Sequence, residues 1–288
     1  AISVHTNDKR NLIRSKIASD NIQWCIAAVP NYEWAKVVLP EVDQKDVLEE
    51  MWKLILKLVY VDEENDPNIT WQENSKQRGE LRQKLSDLHL DSIHMTSSNG
   101  TDIHFGFVES ATFGGRKQDK VGPDYHPNIP TEEVCTSPDK YRTNGKVVST
   151  KPLLIGGKGI ESFTLEFKDG KVVSIDCGDG YDLLKKTIET DEGSCYLGEV
   201  AFVEYHSPIS FSNRVFYNTL IDENASCHLA LGRGFPGCVN ANPVDKEDWK
   251  KKHLNDSSIH VDFMVGTKDT KIVGKTKDGN EVMIFDDG

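Results

Sequence analysis

Four short stretches of the 288-residue chain concentrate side chains able to hold a cation. NIPTEEV (residues 128–134) carries two adjacent carboxylates, Glu132 and Glu133, just after a proline-bearing loop. YLGEVAFV (196–203) sets Glu199 inside an apolar run, where a carboxylate is costly unless it is paired or ligated. DENASCHLALG (222–232) places His228 among small and apolar residues. IHVDFMVG (259–266) has His260 and Asp262 two apart, and in a strand period-two alternation puts both on one face. Each stretch alone has a plainer reading. A buried Glu commonly pairs with Lys or Arg, a lone His is commonly a hydrogen-bonded core residue, and adjacent Glu residues are commonly solvated. Together, carboxylates from three of the stretches and two imidazoles suit a pair of divalent cations bound through mixed nitrogen and oxygen donors, not a cysteine-based structural site.

Other chemistries find less support. No G-x-S-x-G elbow, H-E-x-x-H helix or Walker A loop is present. GGKG at 156–159 lacks the downstream helix that a phosphate cradle needs. Cys227 adjoins His228, but sequence neighbours on a helix point in different directions, which disfavours a Cys–His nucleophilic pair. His206, after the Glu199 strand, is a candidate to line the same cleft. The remaining histidines, His94 and His104 among them, read as polar or loop residues. The six cysteines include no C-x-x-C, and they are too sparse for a disulfide scaffold. Lys and Arg number 34 against 46 Asp and Glu, a formal charge of −12, which gives no footprint for nucleic acid or anionic lipid. No apolar run approaches the roughly 20 residues of a membrane span. The first residues, AISVHTNDKRNL, carry no signal-peptide pattern, so the cytoplasm is the expected compartment.

The elements that must position these groups read as α+β, with helices early and mostly antiparallel sheet later. Helical periodicity runs over 9–19, 47–59 and 71–90, with Val47, Met51, Leu54 and Leu58 forming one stripe in the second. IQWCIAAV (22–29) resembles a short buried strand. Strands are expected at 92–96, 103–108, 146–149, 163–167, 172–175, 198–205, 259–265, 272–276 and 281–285. KDGK and KDGN each signal a hairpin. An α-rich leading part, 1–90, would thus precede a sheet-rich part, 91–288, that holds the metal-competent residues.

At those residues the chain resembles the aminopeptidase T and aminopeptidase S family of co-catalytic two-metal aminopeptidases. Residues 128–153, 189–203, 207–236 and 260–266 carry the resemblance, with a weaker match at 24–41. By position, the resemblance implies that Glu133, Glu199, His228, His260 and Asp262 ligate the metals, at intervals of 66, 29, 32 and 2. It implies removal of N-terminal residues from peptides by a metal-activated water. Glu132 would be the general base, on the strength of the 66-residue interval from Glu133 to Glu199, with the reverse assignment of Glu132 and Glu133 open, and Glu199 the carboxylate shared by both ions. The metals would be zinc or cobalt, and the assembly a homodimer. The family has a Tyr seven positions after its first site His. That position is Phe235 here, so the role of the hydroxyl is in question. Family members also carry a domain ahead of this region, so the chain reads as the catalytic domain alone. A different class stays open: a non-catalytic dimerisation or peptide-binding module with a structural metal.

Overall fold

In a computed structural model, residues 23–114, 125–239 and 246–288 are described. The early helices form where apolar spacing and capping agree. Helix α1 (Tyr32–Val38) starts after Pro30, and the side chain of Asn31 accepts the Trp34 N–H at 3.0 Å. Helix α2 (Val47–Leu58) buries Val47, Met51, Ile55 and Leu58, while Lys53 on its outer face pairs with Glu49 and Glu50. Helix α3 (Pro67–Asp87) is capped by Asp66, with Pro67 in its first turn. It therefore starts four residues before the expected point and releases Leu90 to a strand. The expected helix at 9–19 lies outside the described residues.

Among the described residues, fifteen strands and four later helices follow or flank these. They are β1 (Ile26–Ala27), β2 (Leu90–Thr96), β3 (Asp102–Phe107), β4 (Asn128–Ile129), β5 (Val134–Thr136), β6 (Pro138–Val148), β7 (Leu153–Ile155), β8 (Lys158–Ile160), β9 (Phe163–Lys168) and β10 (Lys171–Cys177). Then come α4 (Tyr181–Ile188), β11 (Leu197–Phe202), α5 (Pro208–Phe211), α6 (Thr219–Asp222), β12 (His228–Gly232), α7 (Lys246–Lys251), β13 (His260–Met264), β14 (Lys271–Thr276) and β15 (Glu281–Phe285). The expected buried strand at 22–29 reduces to β1, whose two residues are exposed and pair in parallel with β4. Strand β12 was not foreseen: the stretch around His228 is extended, not helical.

The large sheet is antiparallel, in the order β10-β9-β6-β3-β2-β14-β15. A second antiparallel sheet runs β13-β12-β11-β5. One apolar core joins them: Ile93, Phe105, Leu165 and Phe167 of the first meet Val200, Phe202, Leu229, Leu231 and Phe263 of the second. Those five residues occupy one face of the small sheet. Burial of each such side chain contributes roughly 1.5–3 kcal/mol, so the register of the small sheet is strongly fixed. Its opposite face must then carry Glu199, Ala201, His228, Ala230, His260 and Asp262. A separate cluster packs α1 and α2 against Ile209, Phe216, Ile221 and Ala225, tying the leading helices to the segment ahead of His228.

Candidate metal centre

Cross-strand pairing places the donors. Glu199 stands opposite Ala230, and Ala230 opposite Asp262, so two carboxylates flank a methyl group across three strands. His228 lies two residues along the same strand, and His260 lies opposite Gly232. Neither Ala230 nor Gly232 fills the space between the four longer side chains. The chain reaches this arrangement through a bulge between Leu197 and Glu199. Unbroken alternation would put both on the apolar face, whereas the extra residue, Gly198, turns Glu199 to the other. Gly198 is required there, because a Cβ would meet the Arg233 carbonyl oxygen at 2.3 Å. Glu133 arrives from the residue ahead of β5.

The side-chain contacts are close. His228 Nε2 is 3.1 Å from Glu133 Oε2. His260 Nε2 is 3.0 Å from Glu199 Oε2 and 3.2 Å from Asp262 Oδ1. Two groups result, Glu133–Glu199–His228 and Glu199–His260–Asp262, each with its ligand atoms within 4.8 Å of one another. Glu199 belongs to both. Each imidazole is oriented through its other nitrogen: His228 Nδ1 faces the Ser226 carbonyl at 3.3 Å, and His260 Nδ1 the Arg233 carbonyl at 2.8 Å. A backbone oxygen on Nδ1 that aims Nε2 at carboxylates is how metal-binding histidines are commonly held.

Electrostatics give the same picture. Burial alone would push His228 down, but Glu133, Glu199 and Glu223 drive it up to about 10. Burial also opposes protonation of His260, yet Asp262 and Glu199 raise it to about 11. Burial pushes the Glu199 carboxyl up, and Glu133 and Asp262 add to this against the pull of His260. Burial would likewise raise Asp262, but His260 and His228 hold it below the usual range. Without a cation, protons on two imidazoles balance the buried carboxylates. Nitrogen and carboxylate oxygen donors converging in one place, each group holding an imidazole proton that a cation would displace, fit divalent cations.

The neighbouring residues differ in role. Glu132 does not join either group. Its Oε1 accepts the Tyr60 hydroxyl at 2.7 Å, and its backbone N–H donates to Asn224 Oδ1 at 2.6 Å. Burial raises its carboxyl, while Tyr60 and the charge of Arg78 pull it down. Tyr60 follows α2, held edge-on by Trp71, whose Nε1 donates to the Val59 carbonyl at 2.9 Å. Phe235 does lie at the site, its ring centroid 4.9 Å from that of His260. Cys227 is buried with its thiol on the Val203 carbonyl and pushed up to about 12 by burial, so it is no nucleophile. His206 lies against Phe211 and Tyr205.

Sequence reasoning missed Tyr60, Arg78, Asn224 and Glu223. Glu223 is 8% exposed, and its carboxyl is driven well up by burial and by Asp262 and Glu133. A signal existed for Glu223: it sits five residues before His228, beside a second acid, Asp222. For Tyr60 and Arg78 none existed, because they reach Glu132 only through helix packing, across 72 and 54 residues of chain.

The whole chain, residues 1–288, matches the family model of the thermophilic metalloproteases (M29). Aminopeptidase 2 of Geobacillus stearothermophilus is 39% identical over 277 residues, covering 96% of this chain and 67% of that protein. Aminopeptidase AmpS of Bacillus subtilis is 40% identical over 277 residues, with the same coverage of 96% and 67%. Among solved structures, wild-type AmpT from Thermus thermophilus superposes with a TM-score of 0.82 at 30% identity, covering 91% of this chain and 64% of that one. The chain therefore spans about two thirds of the length of these relatives. With its fold shared and its family match unbroken, the chain belongs to the M29 family of metalloproteases and, by class, to the metallo-aminopeptidases.

Proposed function

We propose that this chain removes N-terminal residues from peptides at a pair of divalent cations held by Glu133, Glu199, His228, His260 and Asp262. The observation that carries this reading is that Glu199 belongs to two abutting ligand groups on one sheet face. A carboxylate common to both has an oxygen for each of two ions. Bound there, such cations would polarise the scissile carbonyl and acidify a water to near neutrality.

The chain's own residues do the rest. Glu132 takes the water proton on Oε2, since Oε1 is occupied by the Tyr60 hydroxyl. It then returns that proton to the departing amide nitrogen. Burial raises the Glu132 carboxyl above its ordinary value, against the pull of Tyr60 and Arg78, which is the direction a group that accepts and releases a proton needs. Tyr60 and Asn224 fix it from two sides. The aromatic ring of Phe235 packs beside His260 and contributes no hydroxyl. Zinc or cobalt as the metal, a homodimer and a cytoplasmic location complete this reading.

The test combines metal analysis with a substrate panel. The expected result is two divalent ions per chain, and hydrolysis of aminoacyl amides with a free α-amine but not of their N-acetylated forms. Metal without turnover would favour a peptide-binding module. Equal hydrolysis of blocked substrates would make the chain a different amidohydrolase.

A further inference from the structure

Asp222 and Glu223 are adjacent acids with opposite circumstances. Asp222 is structural: its two carboxylate oxygens accept the Phe216 N–H at 2.9 Å and the Asn218 N–H at 3.0 Å. Asn224, on the other side, ties Glu132 to the Leu220 carbonyl. Glu223 sits between them at the start of a single 3-10 turn, Glu223–Ala225, that packs on β13. The residue is 8% exposed, and among the described residues no hydrogen bond or ion pair reaches its side chain, whose oxygens keep some contact with solvent. A largely buried carboxyl with no protein donor but an opening to solvent is placed to receive its donor from a ligand.

The charges that Glu223 faces are Asp262, Glu133, His228 and Glu199. Its turn packs on β13, the strand of His260 and Asp262, so Glu223 borders the metal-competent cluster. It is absent from both ligand groups, so its oxygens stand back from the positions where all donors lie within 4.8 Å of one another. A carboxyl group beside the reacting centre, but outside the ligand set, matches one feature that separates an aminopeptidase substrate from every internal peptide bond. That feature is the α-amine, with a pKa of about 8 and up to three N–H donors.

We infer that Glu223 is the receptor for the free α-amine of the peptide, and so restricts cleavage to the first residue. This rests on the aminopeptidase reading. The amine donates to the Glu223 carboxylate, which places the first peptide carbonyl at the cluster. An internal amide nitrogen has one N–H and no charge, and an acetylated terminus is in the same position, so neither satisfies the carboxylate.

The experiment uses the full, metal-loaded chain and two probes, L-leucine and its des-amino analogue 4-methylpentanoate, with Kd measured by calorimetry. The Glu223→Gln variant should keep its metal content and bind 4-methylpentanoate within about twofold of the parent. It should lose roughly ten- to a hundredfold in affinity for leucine, the size of a charge-assisted hydrogen bond. The Glu223→Asp variant keeps the charge on a shorter arm and should lose selectively for leucine by a smaller factor. It carries the test alone if the Gln variant does not fold. Equal weakening of both probes, or unchanged leucine binding, overturns the inference. A fall in metal content overturns it too and makes Glu223 a ligand. If the parent cleaves free-amine substrates alone while leucine binding ignores Glu223, only this inference fails. If the parent cleaves acetylated substrates equally well, the aminopeptidase reading fails with it.

Discussion

Two regions of the molecule bring His and acidic side chains together, and they differ in what surrounds them. On the large sheet, His94 of β2 stands directly opposite His104 of β3, their rings stacked at 3.8 Å, and His94 Nε2 is 2.7 Å from Asp102 Oδ1. By distance alone this trio is as metal-competent as the groups around Glu199. Yet the Asp102 side chain is 70% exposed and that of His94 37%, whereas the Glu199 side chain is 4% exposed and that of His228 1%. Water can satisfy the exposed trio, and its ion pair is worth little. Glu199 and His228 have no such outlet, although His260 keeps 28% of its side chain open to solvent, and the two imidazoles are driven to about 10 and about 11 by the carboxylates beside them. His104 moves the other way, lowered by partial burial and by His94. Desolvation, more than ligand identity, distinguishes a place that needs a cation from one that tolerates it.

The largest effect should come from the residue that both buried groups share. Replacing Glu199 with Ala removes a donor from each. The expected outcome is loss of both metals and of turnover. That exceeds the roughly 10–100-fold cost of losing a mere partner of a ligand. Metal content after dialysis checks it, and a variant that retains both ions would break the comparison at its centre.

Glu132→Gln should separate proton transfer from ligation. Glu132 is in neither group, so metal content should stay, while kcat should fall by about 10²–10⁴, the usual worth of a positioned general base. Loss of metal instead would exchange the roles of Glu132 and Glu133.

Metal uptake should depend steeply on pH. Both His228 and His260 have raised values in the metal-free fold, so near neutrality both carry protons that a cation must displace. Affinity should therefore fall as pH falls, by up to about a hundredfold per unit when two protons leave. The metal-free fold should show the reverse sign. Its stabilising imidazolium contacts are fully present below the ordinary His value, persist to about 10, and are lost above it. Calorimetry in buffers of different ionisation enthalpy counts the protons, and a count of zero would contradict the buried ion pairs.

Much of this site was legible in the chain, for reasons tied to particular residues. H-x-D at 260–262 was readable because a regular strand does place alternate residues on one face. Glu199 was readable only as an anomaly, an acid in an apolar run. The run YLGEVAFV puts Leu197 and Glu199 in the same phase, and the bulge at Gly198 that separates them depends on the approach of Arg233, distant in sequence. The strand at His228 was missed because HLALG is buried on both sides of a central position and so shows no alternation of polarity. The hairpins at KDGK and KDGN were plain from local turn chemistry. Tyr60 was hidden altogether, since its contact with Glu132 spans 72 residues and depends on how α2 packs.

Phe235 offers a smaller, sharper question about the same buried region. Its ring already lies beside His260, so Phe235→Tyr adds one hydroxyl next to the donor cluster. If that group donates a hydrogen bond in the transition state, kcat/KM should rise by up to about tenfold, the worth of one neutral hydrogen bond. Unchanged rates with unchanged metal content would show that the site works without it.

The smallest effect should come from the exposed trio, and it is the control that gives the comparison its force. Replacing His94 and His104 together with Ala removes two imidazoles that distance alone would nominate as ligands. Because solvent already serves them, the double variant should keep the parent's metal content and kcat/KM. Its stability should change by no more than about 0.5 kcal/mol per site, the usual size for surface substitutions. Elemental analysis and thermal unfolding of the metal-loaded protein check both. The loss of one ion per chain would mean that the stacked pair binds a cation despite its hydration, and ligand geometry would then outweigh desolvation in this fold.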